Sequence, residues 1–413
     1  MKEIQINSKK TPEFQYLMNR WCIPRLAGSE GSFKIVERLK EDFERFNLEL
    51  TEQKFSVFKS NKLFRYRRFF FTFSILSILF HFILIYLFWG SVPVGIVVIA
   101  YLIKSRWLFL KKNPCERRME KESNPKEEIA FSQTNLIYRL KPRKKKRNTI
   151  ILIAHHDSKS QYLSTYIRAY TALIFIILIF LEMLAYISVF IFERQNLFET
   201  LRFGLKIYIF IVGWLTISFF LTMGSNFISN ESPGALDNAS GLYTLWKTAQ
   251  YLHDSPLDNT ELWIVLTGAE EIDQEGAAAF LNKYRPFFTQ TNTLVINFDM
   301  IGLKDNPLEV VDSFYIPKDD LSPILQHVLY NSAEKLSVEL RGWYLWIGGY
   351  TDGFLFYEEG YKTINFITKK AGKYTHQKKD TYDHIDPNLI DAQASLNVQL
   401  IRTIDKKWLL NEV

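Results

Sequence analysis

The sequence contains little cysteine. Only Cys22 and Cys115 occur among 413 residues, and their spacing is not one that is typical of a metal site. A disulfide framework is therefore not expected, and a reducing compartment is allowed. The N-terminal stretch MKEIQINSKKTPEF also lacks an apolar core, so we expect no signal peptide there.

The charge of the chain is basic, with a formal net charge of +7 at pH 7. Such an excess suits an anionic membrane surface or nucleic acid. The sharpest basic cluster is KPRKKKR, from Lys141 to Arg147. No aromatic-interleaved basic sheet or recognition helix accompanies it, which disfavours nucleic acid as a partner. We expect contact with anionic lipid headgroups, and a solvated turn between two strands remains the open alternative.

Long apolar runs predict four transmembrane helices, because a helix needs roughly 20 apolar residues to cross a bilayer core. The runs occupy residues 69–90, 91–110, 169–192 and 207–223. They predict two hairpins, at 69–110 and 166–223, each of which leaves and re-enters on the same side. The remaining segments, 1–68, 111–165 and 224–413, therefore face one compartment and can form one domain.

Basic residues flank the segments on that side, whereas the opposite side has a nearly uncharged predicted turn near Pro93 and a loop of mixed charge. The positive-inside rule then predicts a multi-pass protein of the cell membrane whose soluble segments lie in the cytoplasm. The flanking residues are Lys59, Lys62, Arg65, Arg67, Arg68, Lys104, Arg106, Lys111, Lys112, Arg117 and Arg118.

The soluble segments alternate between apolar strands and amphipathic helices. NTIILIAHHD, ELWIVLTGAEE and TLVINFDMIG read as strands, and the strands are followed by helical patterns such as EGAAAFLNKY. Continuous apolar strands predict a sheet that is mostly parallel and covered on both faces. We expect a three-layer α/β/α domain, with ligands at the carboxyl ends of its strands.

Acidic residues and histidines follow these strands. His155, His156 and Asp157 end the first, Glu270 and Glu271 follow the second, and Asp299 ends the third. Asp237 opens a helix after SPGAL, and His376 precedes an acidic, turn-rich stretch. Imidazole and carboxylate groups suit a pair of zinc ions that share one carboxylate. In an adjacent Glu pair, one residue can bind metal while its neighbour acts as a base.

The motifs AHHDS, PGALDNASG, GAEE, NFDMIG and THQKKDTYDHID, in this order, resemble the co-catalytic di-zinc aminopeptidases. This metallopeptidase family includes aminopeptidase Y, bacterial leucyl aminopeptidases, plasma glutamate carboxypeptidase relatives and glutaminyl cyclases. The segment RLAGSEGS is similar to the N-terminal segment of that family. The resemblance covers the chain apart from the two hairpins. It implies an aminopeptidase that acts on peptides with two zinc ions, and the predicted hairpins would embed this enzyme in a membrane.

The resemblance also implies a role for each matching residue. His155 and Asp299 would hold one zinc ion, Glu271 and His376 the other, and Asp237 would bridge the two. Glu270 would be the general base and acid, and Asp157 would orient His155. His156 is not expected to be a ligand, and Asp352 and Tyr350 in GYTDGFLF resemble the segment near the substrate pocket.

Two other functions stay open at this stage. One is acyl transfer like that of the glutaminyl cyclases, which work with one zinc ion. The other is a catalytically inactive membrane protein that binds or carries a ligand. The complete set of ligand types favours hydrolysis. His81 and Glu182 lie inside predicted spans, where we expect a hydrogen bond between helices rather than a polar pathway.

Overall fold

In a computed structural model of the protein, the residues described are 11–60, 62–86, 88–105, 113–124, 126–195, 199–315, 317–346 and 350–407. The chain divides into two compact units. We call Met1–Lys59, Asn113–Thr165 and Ser229–Val413 the α/β unit, and Ser60–Lys112 and Tyr166–Ile228 the helical unit. The predicted hairpins, 69–110 and 166–223, fall within the helical unit.

The strands of the described residues are β1 Glu49–Phe58, β2 Ile129–Leu140, β3 Asn148–His155, β4 Ser160–Gln161, β5 Ile228–Ser229, β6 Thr260–Thr267, β7 Thr293–Asp299, β8 Leu308–Phe314, β9 Asp319–Asp320, β10 Leu340–Leu345 and β11 Lys362–Ile367. The α-helices are α1 Pro12–Trp21, α2 Glu30–Glu44, α3 Lys62–Tyr86, α4 Phe88–Ser105, α5 Pro114–Ser123, α6 Thr165–Gln195, α7 Glu199–Gly224, α8 Ser240–Leu252, α9 Glu275–Tyr284, α10 Pro323–Lys335, α11 Asp352–Glu358 and α12 Pro387–Lys407.

One mixed sheet forms the centre of the α/β unit. Its strand order is β1-β2-β6-β3-β7-β11-β8-β10, with β9 paired to β8. The central strands β6, β3, β7 and β11 run parallel to one another. Strands β1 and β2 on one side, and β8 against β11 on the other, are antiparallel to their neighbours. The predicted α/β fold with a mixed sheet is confirmed.

Helices cover both faces of this sheet. In β3, Ile150 and Leu152 pack in a core with residues of α1, α2, α8, α10 and α12. Ile151 and Ile153 point the other way and pack with residues of α5, α9 and α11. Because successive strand residues face opposite sides, a strand buried on both sides must be apolar throughout. That is why the NTIILIA run has no polar alternation.

The parallel strands end together at one edge of the sheet. In the register of β3 and β6, His155 lies opposite Thr267, so the GAEE segment begins beside the end of β3. In the register of β7 and β11, Asp299 lies opposite Ile367 at the ends of both strands. The fold therefore gathers at one edge the polar residues that follow three separate apolar runs.

The helical unit contains two helices long and apolar enough to cross a membrane by length and composition. They are Phe64–Leu84, within α3, and Phe203–Gly224, within α7. The apolar stretches Ser91–Lys104 of α4 and Phe180–Ile191 of α6 are shorter, between 10 and 17 residues. Four spans were predicted, but only two helices among the described residues are long and apolar enough to cross a membrane. In α4 the reason is Lys104, which ends the charge-free stretch before a bilayer core of roughly 20 residues is filled.

The predicted turn near Pro93 is wrong. Pro93 lies inside α4, which begins at Phe88. Of the basic residues that set the predicted sidedness, Arg106, Lys111 and Lys112 lie outside the described residues. Arg118 is buried in α5, where its guanidinium contacts Glu275 at 2.9 Å, so it contributes to the core of the α/β unit rather than to an exposed basic flank.

The basic cluster from Lys141 to Arg147 lies between β2 and β3 in the α/β unit. Three of its lysines form ion pairs with acidic residues distant in sequence. The nitrogen–oxygen distances are 2.7 Å for Lys141–Glu49, 3.1 Å for Lys144–Asp258 and 2.8 Å for Lys146–Glu261. Part of the positive charge is therefore balanced within the fold.

Candidate metal centre

Asp237 lies between two histidines at the carboxyl edge of the sheet. Its Oδ1 atom is 3.2 Å from Nε2 of His155, and its Oδ2 atom is 3.0 Å from Nε2 of His376. Asp237 precedes α8, His155 ends β3, and His376 lies in the segment between β11 and α12. Residues separated by up to 221 positions are thus brought to a single carboxylate, which offers one oxygen to each imidazole.

Two groups of ligand-type atoms share this carboxylate. His155, Asp237 and Asp299 form one group, and Asp237, Glu271 and His376 form the other; within each, the ligand atoms lie within 4.8 Å of one another. Nε2 of His155 is 3.6 Å from Oδ1 of Asp299, and Nε2 of His376 is 2.9 Å from Oε1 of Glu271. The structure therefore brings together the five residues that the sequence analysis proposed as ligands.

Both histidines have their Nδ1 atoms engaged. Nδ1 of His155 lies 3.1 Å from the carbonyl oxygen of Asp157. A carbonyl can only accept, so Nδ1 carries a proton, and Nε2 is the ring atom that is left to bind a metal ion. Nδ1 of His376 lies 2.9 Å from the hydroxyl oxygen of Thr165, which can accept in the same way. Both imidazoles can therefore bind a metal ion through Nε2.

The carboxylate of Asp157 holds the GAEE segment. Its two oxygens accept the main-chain N–H groups of Glu270 and Glu271, at 3.0 and 3.1 Å. Its Oδ1 atom is 3.6 Å from Nδ1 of His155, so the main-chain oxygen of Asp157, rather than its side chain, makes the direct hydrogen bond to that ring. Asp157 is fully buried and links the ends of β3 and β6.

Asp380 holds the backbone at Asp237. Its carboxylate oxygens accept the N–H groups of Leu236 and Asp237, at 2.7 and 3.2 Å. The buried Arg25 donates to the main-chain oxygens of Pro233 and Gly234 immediately before. The sequence analysis gave neither residue a role. Each does fall in a motif it singled out, THQKKDTYDHID for Asp380 and RLAGSEGS for Arg25.

Burial and charge shift the titration of the site residues. Burial raises the pKa of Glu270 well above its ordinary range, and the nearby carboxylates of Glu271 and Asp352 raise it further. Burial also raises the pKa of Glu271. The electrostatic effects of His376 and Lys159 outweigh this increase and lower the pKa to about 2. Nζ of Lys159 lies 2.6 Å from Oε2 of Glu271. This lysine is a neighbour of the site that the sequence analysis did not identify.

The donor set fits zinc. Nitrogen from imidazole and oxygen from carboxylate are its usual non-sulfur ligands. His155 Nε2, Glu271 Oε1 and Asp299 Oδ1 are buried and form no hydrogen bond of normal geometry among the described residues. Buried polar atoms without partners are costly, so three of them in one cluster indicate a site made for a cation.

Three other candidates lie apart from the two ligand groups. His156 is buried, and its Nε2 atom is bonded to the main-chain oxygen of Thr134 at 2.9 Å. Asp352 is buried too; it accepts a hydrogen bond from Thr267, and burial raises its pKa to about 7. Tyr350 is 48% exposed. Asp352 therefore belongs to the interior beneath the site, while Tyr350 is accessible to solvent.

Comparison with known proteins agrees with this geometry. Residues 220–401 match the profile of Peptidase family M28. Aminopeptidase YwaD of Bacillus subtilis is 26% identical over 182 residues, which is 43% of this chain and 39% of YwaD. The chain thus spans about two fifths of the length of this curated relative. The resemblance to the co-catalytic zinc aminopeptidases is confirmed.

Solved structures share the fold. A zinc aminopeptidase from Bacillus subtilis superposes with a TM-score of 0.53 at 14% identity, covering 98% of this chain and 97% of that one. A glutaminyl cyclase from an Acidobacteriales bacterium gives 0.51 at 15% identity, covering 95% and 92%. At such identities the likeness establishes the fold and leaves the reaction to be argued from the site.

Proposed function

We propose that the α/β unit is an aminopeptidase that uses two zinc ions to remove N-terminal residues from peptides. The observation that carries this proposal is the position of Asp237 between two complete ligand groups. His155 and Asp299 would hold one ion and Glu271 and His376 the other, with Asp237 shared. Zinc in these positions would polarise the scissile carbonyl and make a water molecule a stronger nucleophile.

Glu270 is the group that moves the proton in this proposal. Its Oε2 atom lies 4.0 Å from Nε2 of His155, at the edge of the first ligand group. Glu270 takes a proton from the attacking water as the new carbon–oxygen bond forms. It returns that proton to the nitrogen of the leaving amine as the carbon–nitrogen bond breaks. Asp157 fixes the main chain of Glu270 and so holds this carboxyl in place.

Glutaminyl-cyclase-like acyl transfer is the alternative within the same fold. The second ligand group, with Glu271 and His376 on Asp237, supports hydrolysis because cyclisation in the resembling enzymes needs one ion. An inactive binding or carrier protein fits less well, since each residue that the resemblance assigns to the site is present. A peptide with an N-terminal glutamine separates the two reactions. Hydrolysis releases free glutamine, whereas cyclisation releases ammonia and leaves the peptide length unchanged.

We also propose that the helical unit anchors the protein in the membrane through several transmembrane helices. The helical unit would cross the bilayer as two hairpins, of which α3 and α7 provide the longest apolar helices, and the α/β unit would face the cytoplasm. The exposed apolar side chains of α3 and α7, such as Phe82, Phe210 and Trp214, support contact with lipid. The basic Lys141–Arg147 cluster would contact anionic headgroups.

The direct test is activity and metal content of the purified full-length protein. We expect close to two zinc ions per chain by mass spectrometry of the metal. We also expect release of N-terminal residues from a panel of aminoacyl-amides and peptides, but not from N-acetylated versions of them. Activity should be lost with a zinc chelator and return with added zinc. Zinc-loaded protein that cleaves no member of the panel would refute the peptidase proposal.

A further inference from the structure

The helical unit contains a cavity of about 380 Å³ between α3, α4, α6 and α7. This volume falls within the roughly 300–1,000 Å³ of pockets that hold small ligands. Its walls are mostly apolar, with Phe73, Val98, Leu178 and Phe220 among them. Ile96, Ile99 and Ile187 also line it and are exposed on the unit, so the cavity is open to the surroundings rather than sealed.

One part of the wall is polar. Nε2 of His81 lies 2.7 Å from Oε2 of Glu182, which joins α3 to α6. Nδ1 of His81 lies 2.7 Å from the carbonyl oxygen of Ser77, so Nδ1 carries a proton. At this separation, Nε2 of His81 and Oε2 of Glu182 are close enough to share a second proton. Whether this pair is imidazolium with carboxylate or imidazole with carboxylic acid, its net charge is zero.

The imidazole of His81 packs closely against the backbone of α7. A Cβ atom added at Gly213 of α7 would come within 2.5 Å of the ring, so only glycine lets the imidazole lie against that backbone. The ring therefore contacts the backbone of α7 on one side and Glu182 of α6 on another. These contacts place the imidazole and its partner Glu182 in the wall of the cavity.

Two oxygens on this wall have no internal partner. Oε1 of Glu182 and the hydroxyl of Thr216 are buried, and neither forms a hydrogen bond with another described residue. Both residues line the cavity. Leaving such groups unpaired in apolar surroundings is costly. In either protonation state of the pair, Oε1 of Glu182 can accept a hydrogen bond from a molecule in the cavity.

We propose that this cavity binds one aliphatic chain that ends in a hydroxyl group, as in a lipid-like alcohol. The chain would lie against the phenylalanine and leucine side chains, and its hydroxyl would donate to Oε1 of Glu182. A plain alkane would leave that oxygen unpaired. A fatty acid anion would bring a negative charge to an acceptor. This site is separate from the candidate metal centre and does not depend on the aminopeptidase proposal.

Photolabelling of the full-length protein in phosphatidylcholine nanodiscs tests the proposal. The probe is hexadecan-1-ol with a diazirine in mid-chain, and the labelled residues are mapped by mass spectrometry. We expect labelling to concentrate on cavity residues such as Val98 and Leu178. Excess 1-dodecanol should compete at least fivefold better than dodecane or dodecanoate. Equal labelling of the exposed Phe82 and Ile103, or equal competition by dodecane, would overturn the proposal.

Three variants separate ligand binding from helix packing. Glu182→Gln keeps a carbonyl oxygen and should retain labelling, whereas Glu182→Leu removes the acceptor and should reduce it at least fivefold. Val98→Trp fills the cavity and should abolish labelling without removing a polar group. Retained elution as a single species in gel filtration shows that each variant is folded. Unchanged labelling in folded Val98→Trp protein would place the probe elsewhere and refute the site.

Discussion

The hydroxyl oxygen of Thr165 lies 2.9 Å from Nδ1 of His376. Thr165 is the first residue of α6, the long helix that begins the second predicted hairpin. One residue therefore both begins that helix and contacts a candidate metal ligand. When His376 binds metal through Nε2, its Nδ1 atom carries the proton, and the hydroxyl oxygen of Thr165 lies where it can accept a hydrogen bond from that atom.

Replacing Thr165 with valine should weaken metal binding at the second ligand group. Loss of a hydrogen bond to a ligating histidine typically lowers metal affinity about 10- to 100-fold. We expect Thr165→Val to fall in this range in a chelator competition assay, with one zinc ion lost before the other. Thr375→Val is the matched control, since Thr375 donates to Thr165 rather than to the histidine. Equal effects of the two variants would contradict the assigned role.

The adjacent histidines at the end of β3 should behave differently. His155→Gln removes a candidate ligand and should reduce the zinc content by about one ion per chain. His156→Gln should keep the zinc content. It should lower the free energy of unfolding by about 1 kcal/mol, because His156 makes one buried hydrogen bond to Thr134. Metal analysis and denaturant unfolding of both variants provide the comparison, and zinc loss in His156→Gln would argue against the proposed ligand set.

Glu270 should be needed for turnover but not for metal binding. Glu270→Gln keeps the shape of the side chain and removes the proton acceptor, so kcat should fall by roughly 10²- to 10⁴-fold. The zinc content should stay unchanged. Glu271→Gln is the contrasting variant, because Glu271 contacts His376 at 2.9 Å within the second ligand group and its loss should reduce metal content. Full activity in Glu270→Gln would exclude it as the base.

The strands and the ligand types could be predicted from the sequence because each has a strong local signal. Strands β3, β6 and β7 are continuous apolar runs, and a polar residue at the end of each marks the edge of the sheet. That pattern marks His155, the Glu270–Glu271 pair and Asp299 as candidates, and the family resemblance implies which of them bind metal. Their convergence could be expected because parallel strands end at the same edge.

The supporting contacts could not be predicted, because their partners are remote. Asp380 reaches the backbone at Asp237 from 143 residues away, and no local pattern links an aspartate in a turn to a helix start. The pairing of Lys146 with Glu261 is of the same kind, across 115 residues. A run of lysines looks alike whether acidic partners or lipid headgroups balance it. The burial of Asp352 could not be predicted from the sequence either, because it depends on how residues distant in the chain pack beneath the site.

Asp352 should make the stability of the metal-free protein depend on pH. Burial raises its pKa in the folded protein to about 7, well above the value of about 3.9 expected in the unfolded chain. Folding therefore favours the protonated carboxyl group. The stability that Asp352 contributes in this way is fully present below a pH of about 4 and is lost as the pH rises through about 7. Asp352→Asn mimics the protonated form, so its stability should exceed that of the wild type most clearly near pH 8. Urea unfolding at pH 5 and 8 with a chelator present measures this difference, and an equal effect at both values would contradict it.

The membrane topology can be tested independently of catalysis. If the helical unit crosses the bilayer as two hairpins, the N-terminus, the C-terminus and the segment at Lys141–Arg147 all lie on one side. A tag at the C-terminus should then be protected from protease in sealed right-side-out vesicles and cleaved in inverted ones. A tag inserted at 196–198, between α6 and α7, should give the opposite pattern. If α3 and α7 were the only spans, the tag at 196–198 would still be cleaved in right-side-out vesicles. A tag at 141–147 would then be cleaved there too, whereas the two-hairpin topology protects it. Such a result would also separate His155 from Asp237 by the width of the bilayer once α7 had crossed it, which the 3.2 Å contact between them excludes. The contact is compatible with an even number of crossings between these two residues, as in the proposed pairing of α6 with α7.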